Sequence, residues 1–310
     1  VSVADSPKPE PRHRAKDSFS AAAEMHRTLT QISDRDFEKY QELVNQEAGI
    51  WLSPVKKALL VGRLARRLRE LGIVSYAEYY ERVVADPAER IKMIDAVCTN
   101  ETHFFREPRH WEYLANQVFP EWQELAAAGK RERKVRIWSA ACSSGEEPYS
   151  LAMSLLTSFP SGWSLEVLAT DLSTKILDRA RAATWPLAKS SEIPEAYLKA
   201  FMLKGFGAYD GTMRAGPEIR SLVKFARLNL NGDDWPPAGS FDLVFCRNVL
   251  IYFDKVTKEK VVNKLLDRLV PTGLLFLGHA ESLGGVTTRA HSVLPTVYAL
   301  GPPPRSGRAR

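Results

Sequence analysis

Two strand-like runs end in residues able to bind a small polar ligand. VRIWSA at 135–140 leads into ACSSGEE at 141–147, and LEVLAT at 165–170 ends on Asp171. A turn of small residues around Gly145 lets a ligand approach the backbone closely. An acid closing the second strand is placed to accept hydrogen bonds from a ribose diol. The turn is neither a G-x-G-x-x-G nor a Walker A sequence, which argues against a nicotinamide or a triphosphate. Glu146, Glu147 and Asp171 gather negative charge, which disfavours a polyphosphate and suits a cation. S-adenosylmethionine, with a ribose, no phosphate and a sulfonium, meets this description. The two glutamates also stand where acids stabilise a helix N-terminus by about 0.3–1 kcal/mol each, so a purely structural role for them stays open.

The elements that must position these residues follow from periodicity. Apolar runs of strand length at 135–140, 165–170, 222–229, 241–246 and 274–278 alternate with helical patterns at 148–157, 174–182 and 255–269. Such alternation predicts a doubly wound parallel sheet, in which ligands bind outside the carboxyl ends of the strands. A pair of short strands is expected near 289–300, and a helix over 111–127. The glycine-rich stretch 189–220 interrupts the rhythm and predicts an inserted loop or small β-structure. Upstream the pattern is helical. Phe37, Tyr40, Leu43 and Val44 recur at helix spacing, and Ser53-Pro54 reads as an N-cap and first turn. Leu60, Leu64, Leu68 and Leu71 form one stripe, Gly72 is a stop, and further helices fit 75–84 and 87–97. The expected organisation is an arm at 1–30, a helical domain at 31–110, a ligand-binding α/β domain at 111–300 and a tail at 301–310.

Composition sets the outer limits. The chain has 310 residues, 43 Lys+Arg against 37 Asp+Glu and a net charge of +6, enough length for a core without staples. Cys98, Cys142 and Cys246 are far apart, with no C-x-x-C pair, so neither a disulfide framework nor a zinc site is expected. No apolar run reaches membrane-span length, and the opening stretch VSVADSPKPEPRHRAKDS has no apolar core of a secretory leader. A cytoplasmic protein is the expectation, with no metal.

Three runs carry a specific resemblance: TNETHFFRE at 99–107, WSAACSSGEEPYS at 138–150 and FCRNVLIYFD at 245–254. In order and spacing they resemble the CheR chemotaxis receptor methyltransferases, and the likeness extends over 34–300. It implies an α/β, Rossmann-like S-adenosylmethionine-dependent methyltransferase sheet with a small β-subdomain insertion, preceded by an all-α N-terminal domain. It implies methyl transfer to glutamate side chains of chemoreceptors, giving γ-glutamyl methyl esters and S-adenosylhomocysteine. Carried over by position, Asn100, Thr102 and Arg106 contact the cofactor, Glu146 holds its amino end and Asp171 its ribose. Asn229 and Leu230 flank the adenine, Arg247 and Asn248 complete the pocket, and Arg106 and Tyr252 lie nearest the methyl group.

Elementary chemistry is compatible with those roles. A glutamate carboxylate has a reference pKa of about 4.3 and is already ionised at neutral pH, so no strong base is needed. Positioning alone is worth about 7–11 kcal/mol when the reacting atoms are aligned. Arg106 suits a carboxylate, and Tyr252 offers a hydroxyl and a ring face to a cation. The structural alternatives are a surface ion pair between Arg106 and Glu107, and a core position for Tyr252 beside Phe253. His103, read as part of a packed aromatic run, and His110 are expected to be structural. Cys142 and Cys246 are expected to pack rather than react.

Partner contacts follow from charge. Lys56, Lys57, Arg63, Arg66, Arg67 and Arg69 read as one helix without an acid over 56–69. Arg63, Arg66 and Arg67 share a face expected to project outward, either as a solvated face or as a dock for an acidic surface. The resemblance makes that surface the receptor's cytoplasmic helical bundle. LKGFGAYDGTMR at 203–214 resembles the β-subdomain of members that bind a peptide at the receptor's C-terminus, although its glycines also suit plain turns. No nucleic acid, no membrane insertion and a monomer are expected. Two rival readings stay open: a methyltransferase with another acceptor, and a non-catalytic, cofactor-sensing interaction module.

Overall fold

Leu60, Leu64 and Leu68 are fully buried along one side of a helix, the pattern that makes their segment helical. The structure is a computed structural model and describes residues 31–236 and 241–301. The arm expected at 1–30, and the expected tail beyond residue 301, lie outside the described residues. The described residues form two compact units, one drawn from within Val1–Leu43 and Leu52–Val97, the other from within Val44–Trp51 and Cys98–Arg310.

The first unit is helical among its described residues. It holds most of α1 (Asp34–Ala48), with α2 (Lys57–Leu71), α3 (Tyr76–Ala85) and α4 (Pro87–Val97). Gly72 ends α2 in the left-handed conformation at φ 68°, and Ser75 caps α3 by accepting the Glu78 amide at 3.2 Å. Tyr40 and Tyr79 stack in the core, and the Tyr40 hydroxyl donates to the Tyr76 carbonyl at 2.8 Å. The start of α2 differs from the sequence reading. Pro54–Lys56 forms a 3-10 turn, Ser53 makes no side-chain cap, and the α-helix begins at Lys57. The fixed φ of Pro54 suits the tighter turn. Lys56 therefore lies off the helix that carries the arginines.

In the second unit, α5 (Pro108–Tyr113), a π turn (Leu114–Val118) and α6 (Phe119–Ala127) follow one another without a break, so the helix expected over 111–127 is present with a widened turn inside it. Pro120 has no amide to give the preceding turn and its ring crowds the carbonyl four residues back. The widened π turn ahead of it relieves that conflict. The chain continues through β1 (Lys134–Ala140), α7 (Glu146–Ser158), β2 (Ser164–Asp171) and α8 (Thr174–Ala182). Next come β3 (Thr184–Pro186), α9 (Glu195–Phe201), β4 (Met202–Lys204), β5 (Thr212–Ala215) and α10 (Pro217–Leu222). It ends with β6 (Val223–Arg227), β7 (Phe241–Cys246), α11 (Lys255–Leu266), β8 (Leu269–Leu277), β9 (Ala290–Leu294) and β10 (Val297–Leu300).

Seven strands form one sheet in the order β6-β2-β1-β7-β8-β10-β9, all running in one direction except β10, which is antiparallel to both β8 and β9. The strand β7, FDLVFC, is buried along its whole length, as a central parallel strand covered on both faces must be. Its alternate residues divide between two cores: Leu243 and Phe245 pack with Ile137 and Tyr149, whereas Val244 and Cys246 pack with Trp138 and Val262. Phe245 stacks on Phe276 of β8 with ring centroids 4.4 Å apart. Winding reverses between β1 and β7, so their carboxyl ends open the crevice where ligands bind in this architecture.

Strands β3, β5 and β4 make a separate antiparallel sheet in the order β3-β5-β4. The small β-structure expected from residue 189 thus begins earlier, at Thr184. No helix among the described residues is long and apolar enough to cross a membrane.

Candidate functional site

The turn after β1 is wound tightly. Ala141 and Ser143 have φ 75° and 49°, and Gly145 has φ 97°. A Cβ on Gly145 would stand 3.2 Å from Ala180 Cα, so glycine is required by both conformation and close approach to α8. The amides of Ala141 and Cys142 both donate to the Thr170 carbonyl at 2.8 Å, pinning this turn to the end of β2.

Asp171 completes the junction. Its Oδ2 accepts the Ser143 amide at 2.9 Å and its Oδ1 the Ser173 amide at 3.0 Å. The Ser143 hydroxyl then donates to the Asn100 carbonyl at 2.9 Å. One serine therefore joins the acid at the end of β2 to the TNETHFFRE run. That run is held at further points. The Phe105 amide donates to Ser150 Oγ at 3.0 Å, and the Arg106 carbonyl accepts from Trp111 Nε1 at 2.9 Å and Arg247 Nη2 at 2.5 Å. Phe105 and Glu107 have φ 49° and 60°. Left-handed non-glycine residues cost about 1–3 kcal/mol each and persist only where surrounding contacts fix them, as here.

Arg106 does not pair with Glu107. Its guanidinium makes one long contact, 3.5 Å to the Glu101 carbonyl. Glu107 instead accepts the His279 amide at 2.9 Å and faces Arg247 at 3.4 Å. Arg247 also donates to Glu147 at 3.2 Å, and Ser139 Oγ donates to that carboxylate at 2.7 Å. Burial pushes the Glu147 carboxyl up against the opposing pull of Arg247. Burial also raises Glu107, but Arg247, the His279 amide and His110 outweigh it and hold the carboxyl below its ordinary range. Glu147 thus belongs to a buried charge network.

Glu146 is 1% exposed, and both its oxygens have partners: Ser144 Oγ donates at 2.6 Å and Lys189 Nζ at 2.8 Å. Thr102 presents its carbonyl to the same ammonium at 2.9 Å. Asn229 gives its side-chain amide to the Glu47 carbonyl at 2.6 Å and accepts the Asn231 amide at 2.9 Å, while Leu230 is buried beside Trp138 in the second core. Asn248 has φ 59°, and its Oδ1 is a buried acceptor with no hydrogen-bond partner. Tyr252 closes the 3-10 turn Leu250–Tyr252, and its carbonyl accepts the Trp51 amide at 2.7 Å.

A group that sequence reasoning missed fixes this loop. Glu281, buried after β8, accepts the amides of Gly278 at 2.6 Å, Asn248 at 2.9 Å and Ile251 at 3.3 Å. Its three donors span two loops. Only carboxylate-to-backbone bonds are involved, so no side-chain spacing announces them.

The histidines and cysteines take different places. His110 is buried, with Nε2 2.8 Å from Thr296 Oγ1, and burial together with Arg247 lowers its pKa to about 4. His103 departs from the expected aromatic packing: it is 49% exposed and lies 3.3 Å from Glu192. Burial raises both the Cys142 and Cys246 thiols, which keeps them unreactive.

The arginine face in the first unit needs correction. Arg67 does not project outward as a docking charge. Its Nε and Nη2 donate to the two oxygens of Glu89 at 2.7 and 2.6 Å, and the Tyr79 hydroxyl donates to the same carboxylate at 2.9 Å. Glu89 is 1% exposed, and a guanidinium fork supplies the bidentate partner a buried carboxylate requires. Arg63 turns back to donate to the Val97 carbonyl. Arg66 is 79% exposed and contacts Glu70 at 3.0 Å, just beyond the acid-free stretch.

Sequence comparison bears on the same stretches. Residues 100–299 match the model described as CheR methyltransferase, SAM binding domain, and residues 35–98 the model described as CheR methyltransferase, all-alpha domain. The chain is 39% identical over 265 residues to chemotaxis protein methyltransferase 2 of Pseudomonas aeruginosa, covering 85% of this chain and 92% of that protein. It is 36% identical over 274 residues to the chemotaxis protein methyltransferase of Salmonella typhimurium, covering 87% and 91%. The chemotaxis protein methyltransferase of Escherichia coli is also 36% identical, over 87% of this chain and 92% of that protein.

Proposed function

This chain belongs to the CheR methyltransferase family and is an S-adenosylmethionine-dependent methyltransferase of chemotaxis, and from that premise we propose that it methylates glutamate side chains of chemoreceptors. The observation that carries the site is the hydrogen-bonded path from Asp171 through Ser143 to Asn100, at the carboxyl ends of β1 and β2. It gathers the acid, the small-residue turn and the TNETHFFRE run at one crevice.

The donor set fits the cofactor. Asp171 suits the ribose hydroxyls, Glu146 the amino group, and Asn229 with Leu230 the adenine. Asn248 has a buried acceptor without a protein partner, the kind of atom a ligand donor satisfies. Asn100, Thr102 and Arg247 line the same loops. When bound, S-adenosylmethionine supplies a methyl group on a cationic sulfur.

The chain's own part is to position the acceptor. Arg106, its guanidinium engaged by one long carbonyl contact, orients the incoming carboxylate by charge-assisted hydrogen bonds. Tyr252 offers its hydroxyl and ring face beside the reacting atoms. No general base is required, because the acceptor enters ionised. Arg66, with Lys56 and Arg63 nearby in sequence, meets acidic residues of the receptor's helical bundle, and Arg67 is reserved for Glu89. The three-stranded sheet, with exposed Leu203, Phe206 and Tyr209, takes the receptor's C-terminal peptide along its edge. The enzyme acts as a monomer.

The test is methyl transfer from labelled S-adenosylmethionine to a receptor cytoplasmic fragment, followed by mild alkali. A carboxyl methyl ester releases labelled methanol. Label that survives alkali, or label on residues other than glutamate, refutes the proposal.

A further inference from the structure

The TNETHFFRE run contains no strand and no long helix, so its backbone groups must find partners elsewhere. Two find them in the inserted segment. Lys189 donates to the Thr102 carbonyl at 2.9 Å and lies 2.8 Å from Glu146 Oε1. Glu192 Oε2 accepts the Phe104 amide at 2.9 Å and stands 3.6 Å from the Lys189 ammonium, while Glu192 Oε1 faces His103 Nδ1 at 3.3 Å. Both residues sit on the 3-10 turn Leu187–Glu192, and the Leu187 amide donates to the Gly211 carbonyl at 2.8 Å, anchoring that turn in the small sheet.

We propose that Lys189 and Glu192 form a clasp through which the inserted subdomain holds the 100–106 run and Glu146 in their cofactor-binding arrangement. The proposal rests on the reading of Asn100, Thr102, Arg106 and Glu146 as cofactor contacts. Lysine suits the place: three donors on one compact charge reach a carbonyl and two carboxylates that converge from three segments. Neither clasp residue touches the reacting atoms, so both are positioning residues. The clasp also makes the two regions communicate. A ligand that orders Glu146 and Thr102 orders the turn that carries Lys189, and a partner that steadies the small sheet steadies the cofactor contacts. Coupling of this kind is reciprocal.

The experiment uses the full chain with S-adenosylhomocysteine as the probe. Affinity is measured by calorimetry, and amide hydrogen exchange is followed with and without the probe. In the wild type, the probe slows exchange at 141–147, at 100–106 and at 187–192 together. Lys189→Met binds about tenfold more weakly, the scale of a lost charged hydrogen bond, and the slowing at 187–192 disappears while that at 141–147 remains. Glu192→Gln keeps one acceptor oxygen and loses the charge. It shows the same loss of protection with a smaller fall in affinity, and it serves as the test if Lys189→Met does not fold. Unchanged or tighter binding by both variants, or protection at 187–192 that persists in them, overturns the clasp. A folded wild type that does not bind the probe at all refutes instead the cofactor reading on which the clasp rests.

Discussion

Replacing Glu281 by alanine removes the acceptor that three backbone amides share. The bonds from Gly278 at 2.6 Å and Asn248 at 2.9 Å are short, and that from Ile251 at 3.3 Å is weak. A hydrogen bond to a charged partner is worth about 1.5–3 kcal/mol, and donors left unpaired keep a desolvation penalty. Water entering the emptied space recovers part of it, which leaves a net cost of about 2–4 kcal/mol. That cost falls on the segment carrying Arg247, Asn248 and Tyr252. Asn248 is the most sensitive of these, because its φ of 59° is a strained conformation that the bond to Glu281 helps to hold. The released loop must be re-ordered on binding, so S-adenosylhomocysteine affinity falls by about thirtyfold to nearly a thousandfold if the whole cost is met there. Glu281→Gln retains one oxygen and falls less. Calorimetric titration of the folded variants, checked by circular dichroism, reads the effect. A Glu281→Ala protein that is less heat-stable yet binds the product with wild-type affinity refutes the reasoning, because Glu281 would then brace the fold without shaping the site.

Three further outcomes follow from the described contacts. Arg67→Met strands the buried Glu89 carboxylate and destabilises the helical unit by about 3–5 kcal/mol in urea unfolding, whereas exposed Arg66→Met changes stability by less than about 0.5 kcal/mol; similar values for both would dissolve the distinction drawn between them. The unfolded His110 ring takes a proton below its ordinary pKa of 6.5 and the folded ring only near about 4, so stability falls as pH falls through that window, by about 3 kcal/mol in all. His110→Asn should flatten the stability profile between those values, and an unaltered profile would place the titration elsewhere. Asp171→Asn keeps the side chain's shape but turns one acceptor into a donor facing the Ser143 or Ser173 amide, and should weaken product binding by about 1–3 kcal/mol. Full affinity in that variant would remove Asp171 from the proposed ribose contact.

Local chemistry made much of the architecture legible in advance. FDLVFC is apolar at almost every position and was readable as a buried strand. The helix expected over 174–182 matches α8, and the structure adds its cap, Ser173, which accepts the Ile176 amide at 3.2 Å. The loops at the strand ends were readable because Gly145 and Asp171 are types with few other reasons to stand there. What escaped was pairing across distance. Helical spacing assigns Arg67 to the same face as Arg63, but Glu89 lies on another helix and decides where the guanidinium goes. Ser53 and Pro54 promise an α-helical start, and the tighter 3-10 turn prevails. The helix over 111–127 is present but widened at Leu114–Val118 for an equally local reason, since Pro120 sits where an amide was needed. Glu281 was invisible because its partners are backbone amides up to 33 positions away.

The inserted sheet begins and ends at one place. The Ala215 amide donates to the Ala183 carbonyl at 3.0 Å, so the chain leaves the large sheet's layer and returns to it through neighbouring residues. A segment closed in this way is a cassette. It can be lengthened, shortened or exchanged without moving β2 or β6, so its sequence can drift while the large sheet stays constant. One restriction travels with the cassette: any replacement must bring its own cation and acid for Thr102, Phe104 and Glu146. Chimeras that honour that requirement are the ones expected to keep their cofactor affinity.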